Sequence, residues 1–183
     1  MDNIISLKEV FAGVLEFLEK DKPIISLETG TSFAWSETNL PYLSSLNIIK
    51  YLCLPTYGEL YSIDISIDRL NLCEKELYKR GDNFGDCFNK YNGESLEEMS
   101  FLLSTEHKFD FFWLDSEENE DHGLKEYELA KQLANDKFVI CIDDYNSNGS
   151  VKWKKSSELI KQKAKFYKIY NTPTGLIVGF FER

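Results

Sequence analysis

The sequence has no closely spaced cysteine pair: Cys53, Cys73, Cys87 and Cys141 stand far apart, three of them in apolar or helical surroundings. That excludes a C-x-x-C redox or metal motif and fits reduced thiols in a cytoplasmic protein. Positive charge is scarce as well. Lys and Arg number 21 against 31 Asp and Glu, a formal net charge of -10. A sequence-independent grip on nucleic acid needs the opposite balance, because cations must neutralise phosphates, so no nucleic-acid partner is expected. The lysines that crowd the C-terminal part, Lys152 to Lys168, read as a solvated helix face. Met1 to Leu18 lacks both a basic flank and a continuous apolar core. It is therefore neither a signal peptide nor a membrane span, and no membrane partner is expected. Repeats, low-complexity tracts and linkers are missing too.

What is present suffices for one well-filled domain. Of 183 residues, 43% are hydrophobic and 14% aromatic, enough for a sizeable core. Ser6-Leu7-Lys8-Glu9 has the form of a capping box, and Leu7, Val10, Phe11, Val14, Leu15 and Leu18 follow at helical spacing. A helix is predicted from Leu7 to Lys20, stopped by Pro23. Strands are predicted over Pro23 to Glu28, Gly58 to Asp64, Asp86 to Tyr91, Lys108 to Asp115 and Lys137 to Asp143, with helices over Leu40 to Cys53, Ile67 to Arg80, Ser95 to Leu103 and Glu120 to Asn135 between them. This alternation implies parallel pairing through right-handed crossovers. Lys165 to Tyr170 and Leu176 to Phe181 are joined by a turn far too short for a crossover and must pair antiparallel. The expected fold class is α/β, a Rossmann-like three-layer sandwich with a mostly parallel seven-stranded sheet and an antiparallel terminal hairpin. It forms one domain over 1–183, an N-terminal helix over 1–22 and a core over 23–183.

Five of the apolar runs end in an acidic residue or an acid beside glycine: Glu28-Thr29-Gly30, Asp64, Gly93-Glu94, Asp115 and Asp143-Asp144. In an open parallel sheet ligands sit outside the carboxyl ends of the strands, so these acids lie along one crevice. Asp64 can accept two ribose hydroxyls, with Ser66 the better cap for the helix that follows and Asp68 a first-turn residue favoured by the dipole. Asp115, Asp143 and Asp144 end two apolar strands that would be adjacent, and three converging carboxylates repel unless a cation or protons neutralise them. Hard oxygen ligands of this kind suit Mg2+ or Ca2+.

With these residues in this order, the chain resembles class I S-adenosylmethionine-dependent methyltransferases, whose last strand is inserted antiparallel. It is most similar to small metal-dependent O-methyltransferase-like proteins of the macrocin O-methyltransferase and cephalosporin hydroxylase-like groups. The resemblance implies that Glu28, Gly30 and Ser32 stand in the family's glycine-rich cofactor turn, of which this chain keeps Gly30 alone among three glycines, with small residues at Ser32 and Ala34. It further implies that Asp64 binds the ribose, that Gly93, Glu94 and Ser95 form the adenine turn, and that Asp115 lies beside the cofactor. Asp115, Asp143 and Asp144 would hold a divalent metal that lowers the pKa of the attacking hydroxyl. Where the family often has Asp-Gly-Asp-His, this chain reads Asp115-Ser116-Glu117-Glu118, so Asp115 and Glu118 are the catalytic candidates. Glu117 and His122 are open alternatives for the base. As a lone histidine in an acidic stretch, His122 reads as a surface residue, and His107 falls at the opposite edge from the crevice.

The expected function is S-adenosylmethionine-dependent O-methylation of a small hydroxylated substrate, with S-adenosyl-L-methionine and Mg2+ as cofactors. Two alternatives stand beside it: a catalytically degenerate binding or assembly protein, and other metal-assisted chemistry on the same fold. Little chain is available for a cap, so the acceptor site is open or completed by a second copy in a homodimer. The loops facing it would be Trp35 to Pro41, Glu117 to Gly123 and Tyr145 to Trp153, with Trp35, Tyr145 and Trp153 suited to a ring or sugar face.

Overall fold

The computed structural model describes residues 7–19, 21–31, 44–116, 119–145, 154–172 and 174–183. Helix α1 (Leu7–Leu18) precedes β1 (Ile25–Thr29), and β2 (Glu59–Asp64), α4 (Ile67–Tyr78), β3 (Phe88–Asn92), α6 (Ser95–Ser104), β4 (Phe109–Leu114), α7 (Glu120–Leu133) and β5 (Ala134–Ile142) continue the alternation. Helix α8 (Lys154–Lys163) leads into the hairpin of β6 (Phe166–Tyr170) and β7 (Leu176–Glu182). The seven strands pair in the order β3-β2-β1-β4-β5-β7-β6. The first five are parallel, and β7 runs antiparallel between β5 and β6. The expected seven-stranded sandwich with its terminal hairpin is therefore the observed one.

Alternation along β4 divides the core between the two faces of the sheet. Phe111 and Trp113 join Phe11, Ile48, Leu52, Leu70 and Leu77 on the side of α1 and α4. Phe112 and Leu114 join Met99, Leu102, Tyr127, Leu133 and Ile160 on the side of α6, α7 and α8. Phe109 lies on the second face although it is only two positions from Phe111 on the first, which breaks the period of two. The ladder with β5 shifts register at this point. Asp110 occupies the irregularity, its carboxylate accepting from Ile25 N at 3.0 Å and Asn135 Nδ2 at 2.6 Å. An extra residue in one strand bends it and leaves groups that side chains must satisfy.

Other departures from expectation have local causes. The second helical region, expected to run to Cys53, comprises α2 (Ser44–Ile48), a π-helical turn over Ile49–Cys53 and α3 (Leu54–Thr56). Pro55 lacks an N–H, and its ring would strike the carbonyl four residues back, so the helix widens where the proline enters. Helix α5 (Asp82–Asp86) has too few apolar residues for a periodic signal. Strand β5 starts at Ala134, three residues ahead of the predicted Lys137, because α7 runs directly into it. All four cysteines are free, and burial pushes the thiols of Cys53, Cys73 and Cys141 up. Among the described residues no helix is long and apolar enough to cross a membrane.

Strand β6 is a sheet edge, and Phe166, Tyr167 and Ile169 on it are each more than 40% exposed. The opposite end of the core is tightly filled: the Phe11 ring lies 5.7 Å from Phe111 and 6.2 Å from both Trp113 and Tyr51. Phe11→Ala should cost about 3–5 kcal/mol of stability, read as a lower urea midpoint at unchanged slope. A loss below about 1 kcal/mol would show that α1 lies outside the cooperative core.

Candidate functional site

The sheet order reverses between β1 and β4, the position at which an open α/β sheet leaves a crevice at its carboxyl edge. The turns bordering that crevice are stitched to one another by backbone. Gly93 N donates to Asp64 O at 3.2 Å, Gly30 N to Ile63 O at 2.9 Å, Asp115 N to Thr29 O at 3.0 Å and Asp143 N to Leu114 O at 3.4 Å. Each bond runs from the turn after one strand to the end of its neighbour, so the ladder persists one step past every strand. Gly30 is obligatory in this seam: it has φ +78°, and a Cβ there would fall 2.1 Å from the Asp115 carbonyl oxygen, backbone that cannot yield.

Over the seam lies a cleft of about 440 Å³ whose lining includes Gly30, Asp64, Ile65, Arg69, Gly93, Glu94, Ser95, Asp115, Ser116 and His122. Six of the predicted cofactor residues (Gly30, Asp64, Gly93, Glu94, Ser95 and Asp115) are thus brought together. Ser32, Glu117, Glu118, Trp35 and Trp153 lie outside the described residues.

Asp64 is buried, and its carboxylate already has three donors. Thr31 N reaches Oδ2 at 2.9 Å, Ser66 N reaches Oδ1 at 2.8 Å, and Arg69 Nη1 reaches Oδ2 at 3.1 Å. Ser66 caps α4 by accepting from Arg69 N, as its sequence position predicts. The two backbone donors are fixed by the turns. The Arg69 side chain is 52% exposed, and an ion pair in that setting holds weakly.

Glu28 points away from the cleft into a nest of serines. It is fully buried and accepts from Ser44 at 3.0 Å, Ser45 at 2.5 Å and Ser62 at 2.6 Å. Ser62 also meets Thr31 Oγ1 at 2.7 Å, so Glu28 supports the Gly30-Thr31 turn from beneath. Burial pushes its carboxyl up to about 7, against the hydrogen bonds of Ser45, Ser62 and Ser44, which pull it down.

His122, expected on the surface, is 91% buried and lines the cleft. Asn119 caps α7, and the first turn of that helix carries His122 over the start of α6. Its Nε2 is 2.8 Å from Ser95 Oγ and 3.4 Å from Glu126 Oε1, and its Nδ1 is 3.5 Å from Glu94 Oε1. Glu94 caps α6, its Oε2 accepting from Leu96 N at 3.1 Å. Glu126, which is not among the predicted site residues, is fully buried. Its Oε2 accepts from Thr29 Oγ1 at 3.3 Å. The sequence does hold one sign of this cluster: His122 and Glu126 are four apart, a spacing that places them on one helix face.

Two of the expected metal ligands make local hydrogen bonds. Asp143 Oδ1 accepts from Asp144 N at 2.8 Å and from Thr174 Oγ1 at 2.7 Å, and Asp144 is left-handed with φ +59°. Among the described residues no three His, Cys, Asp or Glu groups are placed to hold a metal ion. His107 bonds Thr105 at 2.9 Å, outside the cleft as expected.

No family model and no curated protein matches the chain, but its fold recurs among solved structures. The O-methyltransferase from Bacillus cereus, in complex with SAH, is similar at 16% identity with a TM-score of 0.69, over 100% of this chain and 84% of the other. The O-methyltransferase TomG from Streptomyces achromogenes, involved in tomaymycin synthesis and solved with SAM, is similar at 15% identity and 0.67, over 100% and 83%. A methyltransferase from Geobacter sulfurreducens is similar at 12% identity and 0.67, over 98% and 81%. The chain has the fold of these methyltransferases.

The raised Glu28 carboxyl makes stability depend on pH in a defined direction. Between about 4.5 and about 7 the folded protein holds a proton that the unfolded chain has released. Stability from this group is full below that window and declines by about 3 kcal/mol as pH rises through it. Glu28→Gln, which mimics the protonated acid, should gain on the wild type by this amount between pH 4 and pH 8 in urea titrations. Equal pH slopes for the two proteins would place the ionisation elsewhere.

Proposed function

We propose that the chain binds S-adenosylmethionine in the strand-end cleft and transfers its methyl group to a hydroxyl of a small molecule. The observation that carries this reading is Asp64, a buried carboxylate at the end of β2 opening on a cleft of about 440 Å³ where the sheet order reverses. That volume lies within the range of small-molecule sites. Two neighbours of the same fold were solved with SAH or SAM, which supports the choice of ligand.

When bound, the ligand supplies a methyl group on a sulfonium that is itself a good leaving group, and the protein's share is chiefly orientation. Thr31 N–H and Ser66 N–H hold Asp64 from the inner side, leaving its outer lone pairs for ribose hydroxyls once Arg69 is displaced. Glu94, fixed by Leu96 N–H, receives the amino group of the base. Asp64, Glu94 and Asp115 together give the cleft an acidic lining that attracts a cationic ligand. The O-methyltransferases among the neighbours support a hydroxyl acceptor, and a net charge of -10 favours a small molecule over a polyanion. Among the described residues no three acidic, histidine or cysteine groups are placed to hold a metal ion, and no step is routed through one.

Titration calorimetry with S-adenosylmethionine and S-adenosylhomocysteine tests the reading. The wild type should bind both. Asp64→Asn should weaken binding about ten- to a hundredfold, the loss expected for a charge-assisted hydrogen bond, while still unfolding cooperatively. Absence of binding by the wild type, or an unchanged affinity in Asp64→Asn, would overturn it.

A further inference from the structure

The environment of His122 goes beyond what a nucleoside cleft requires. Both ring nitrogens face carboxylates, Nδ1 toward Glu94 Oε1 at 3.5 Å and Nε2 toward Glu126 Oε1 at 3.4 Å. A neutral imidazole carries one N–H and can donate to only one of them, whereas the imidazolium donates from both nitrogens. Glu126 adds a second constraint. It has no exposed surface; among the described residues its Oε2 is served only by the neutral Thr29 hydroxyl and its Oε1 has no aligned hydrogen-bond donor. A carboxylate buried in that way needs an adjacent cation or a proton, and His122 is the ionisable group within reach.

We propose that His122 is a positioning residue, an imidazolium held between Glu94 and Glu126 that fixes Glu94 at the base-binding end of the cleft. Glu94 is then anchored at both oxygens, by Leu96 N on one and His122 on the other. Among the described residues, Ser95 of α6 also meets Nε2 at 2.8 Å, and Asp115 and Ser116 of the turn after β4 line the same cleft. Asp121, the preceding residue in α7, is paired with Lys155 of α8. Loss of the imidazolium proton leaves one donor for two carboxylates. Glu94 is the one that swings away, since its side chain is 43% exposed whereas Glu126 is enclosed. Affinity for an amine-bearing base therefore falls as pH rises through the His122 titration.

The proposal rests on the nucleoside reading for its ligand, but its first test does not. The chain has two histidines, so long-range 1H–15N correlation of the ring nitrogens, assigned with a His107→Gln variant, reports the state of each. His122 should show two protonated nitrogens at pH 7. A neutral tautomer at pH 7 would overturn the proposal whether or not any nucleoside binds. The second test is calorimetry with S-adenosylhomocysteine between pH 5.5 and 8.5. The wild type should lose about tenfold in affinity across that range, and His122→Gln should bind at the weaker level with a flat profile. Glu94→Gln, at a half-exposed cap where the fold is not at stake, should flatten the profile as well. A flat wild-type profile, or one that persists in His122→Gln, contradicts the assignment. Failure of the wild type to bind at any pH contradicts the nucleoside reading alone.

Discussion

Four backbone hydrogen bonds hold this site together. Where parallel strands end, the next N–H and C=O groups lose their ladder partners, and a buried group left unpaired is costly. Here the first residue after β3, β1, β4 and β5 donates to the end of the neighbouring strand. The turns are therefore registered to each other by the same bonds that register the sheet. The side chains they carry, Asp64 and Asp115 among them, inherit positions that no single loop could set. Gly30 has no Cβ because the seam draws its turn against the Asp115 carbonyl, so no other residue fits this position.

Two fully buried carboxylates lie beneath the seam, and the protein treats them in opposite ways. Glu28 is surrounded by hydroxyls, neutral donors that satisfy its oxygens without supplying charge, so burial prevails and the acid binds its proton more tightly. Glu126 has one hydroxyl and a histidine. At Glu28 desolvation outweighs the hydrogen bonds, whereas Glu126 has a histidine ring nitrogen 3.4 Å from its Oε1. Both acids touch the turns of the cleft from below, through Ser62 and Thr31 in one case and Thr29 in the other.

The fold was legible because its signals are local. Apolar runs such as Phe109 to Leu114 and Phe138 to Ile142, separated by amphipathic stretches, determine a parallel α/β sheet, and a five-residue turn determines the hairpin. Six residues of the cleft lining were legible for a related reason: the crevice lies where those runs end. What the sequence hid depends on contacts between distant positions. His122 looks like an exposed residue in an acidic stretch until Ser95, 27 positions earlier, is brought to its ring. The partner of Asp143 is likewise set by a distant position, Thr174 of the hairpin, whose hydroxyl donates to its Oδ1.

The outer strand β6 has a consequence for how the protein behaves in solution. Phe166, Tyr167 and Ile169 flank a row of backbone donors and acceptors with no eighth strand to meet them among the described residues. Such an edge can template the addition of another chain. Lys168 interrupts the apolar row, but the wider safeguard is the mutual repulsion of molecules that each carry a net charge of -10. That repulsion vanishes near the isoelectric point of about 4.8, and salt screens it at any pH. Mild acid or high ionic strength therefore favours edge-on self-association of the intact fold, and colloidal stability is a separate property from the thermodynamic stability of the core.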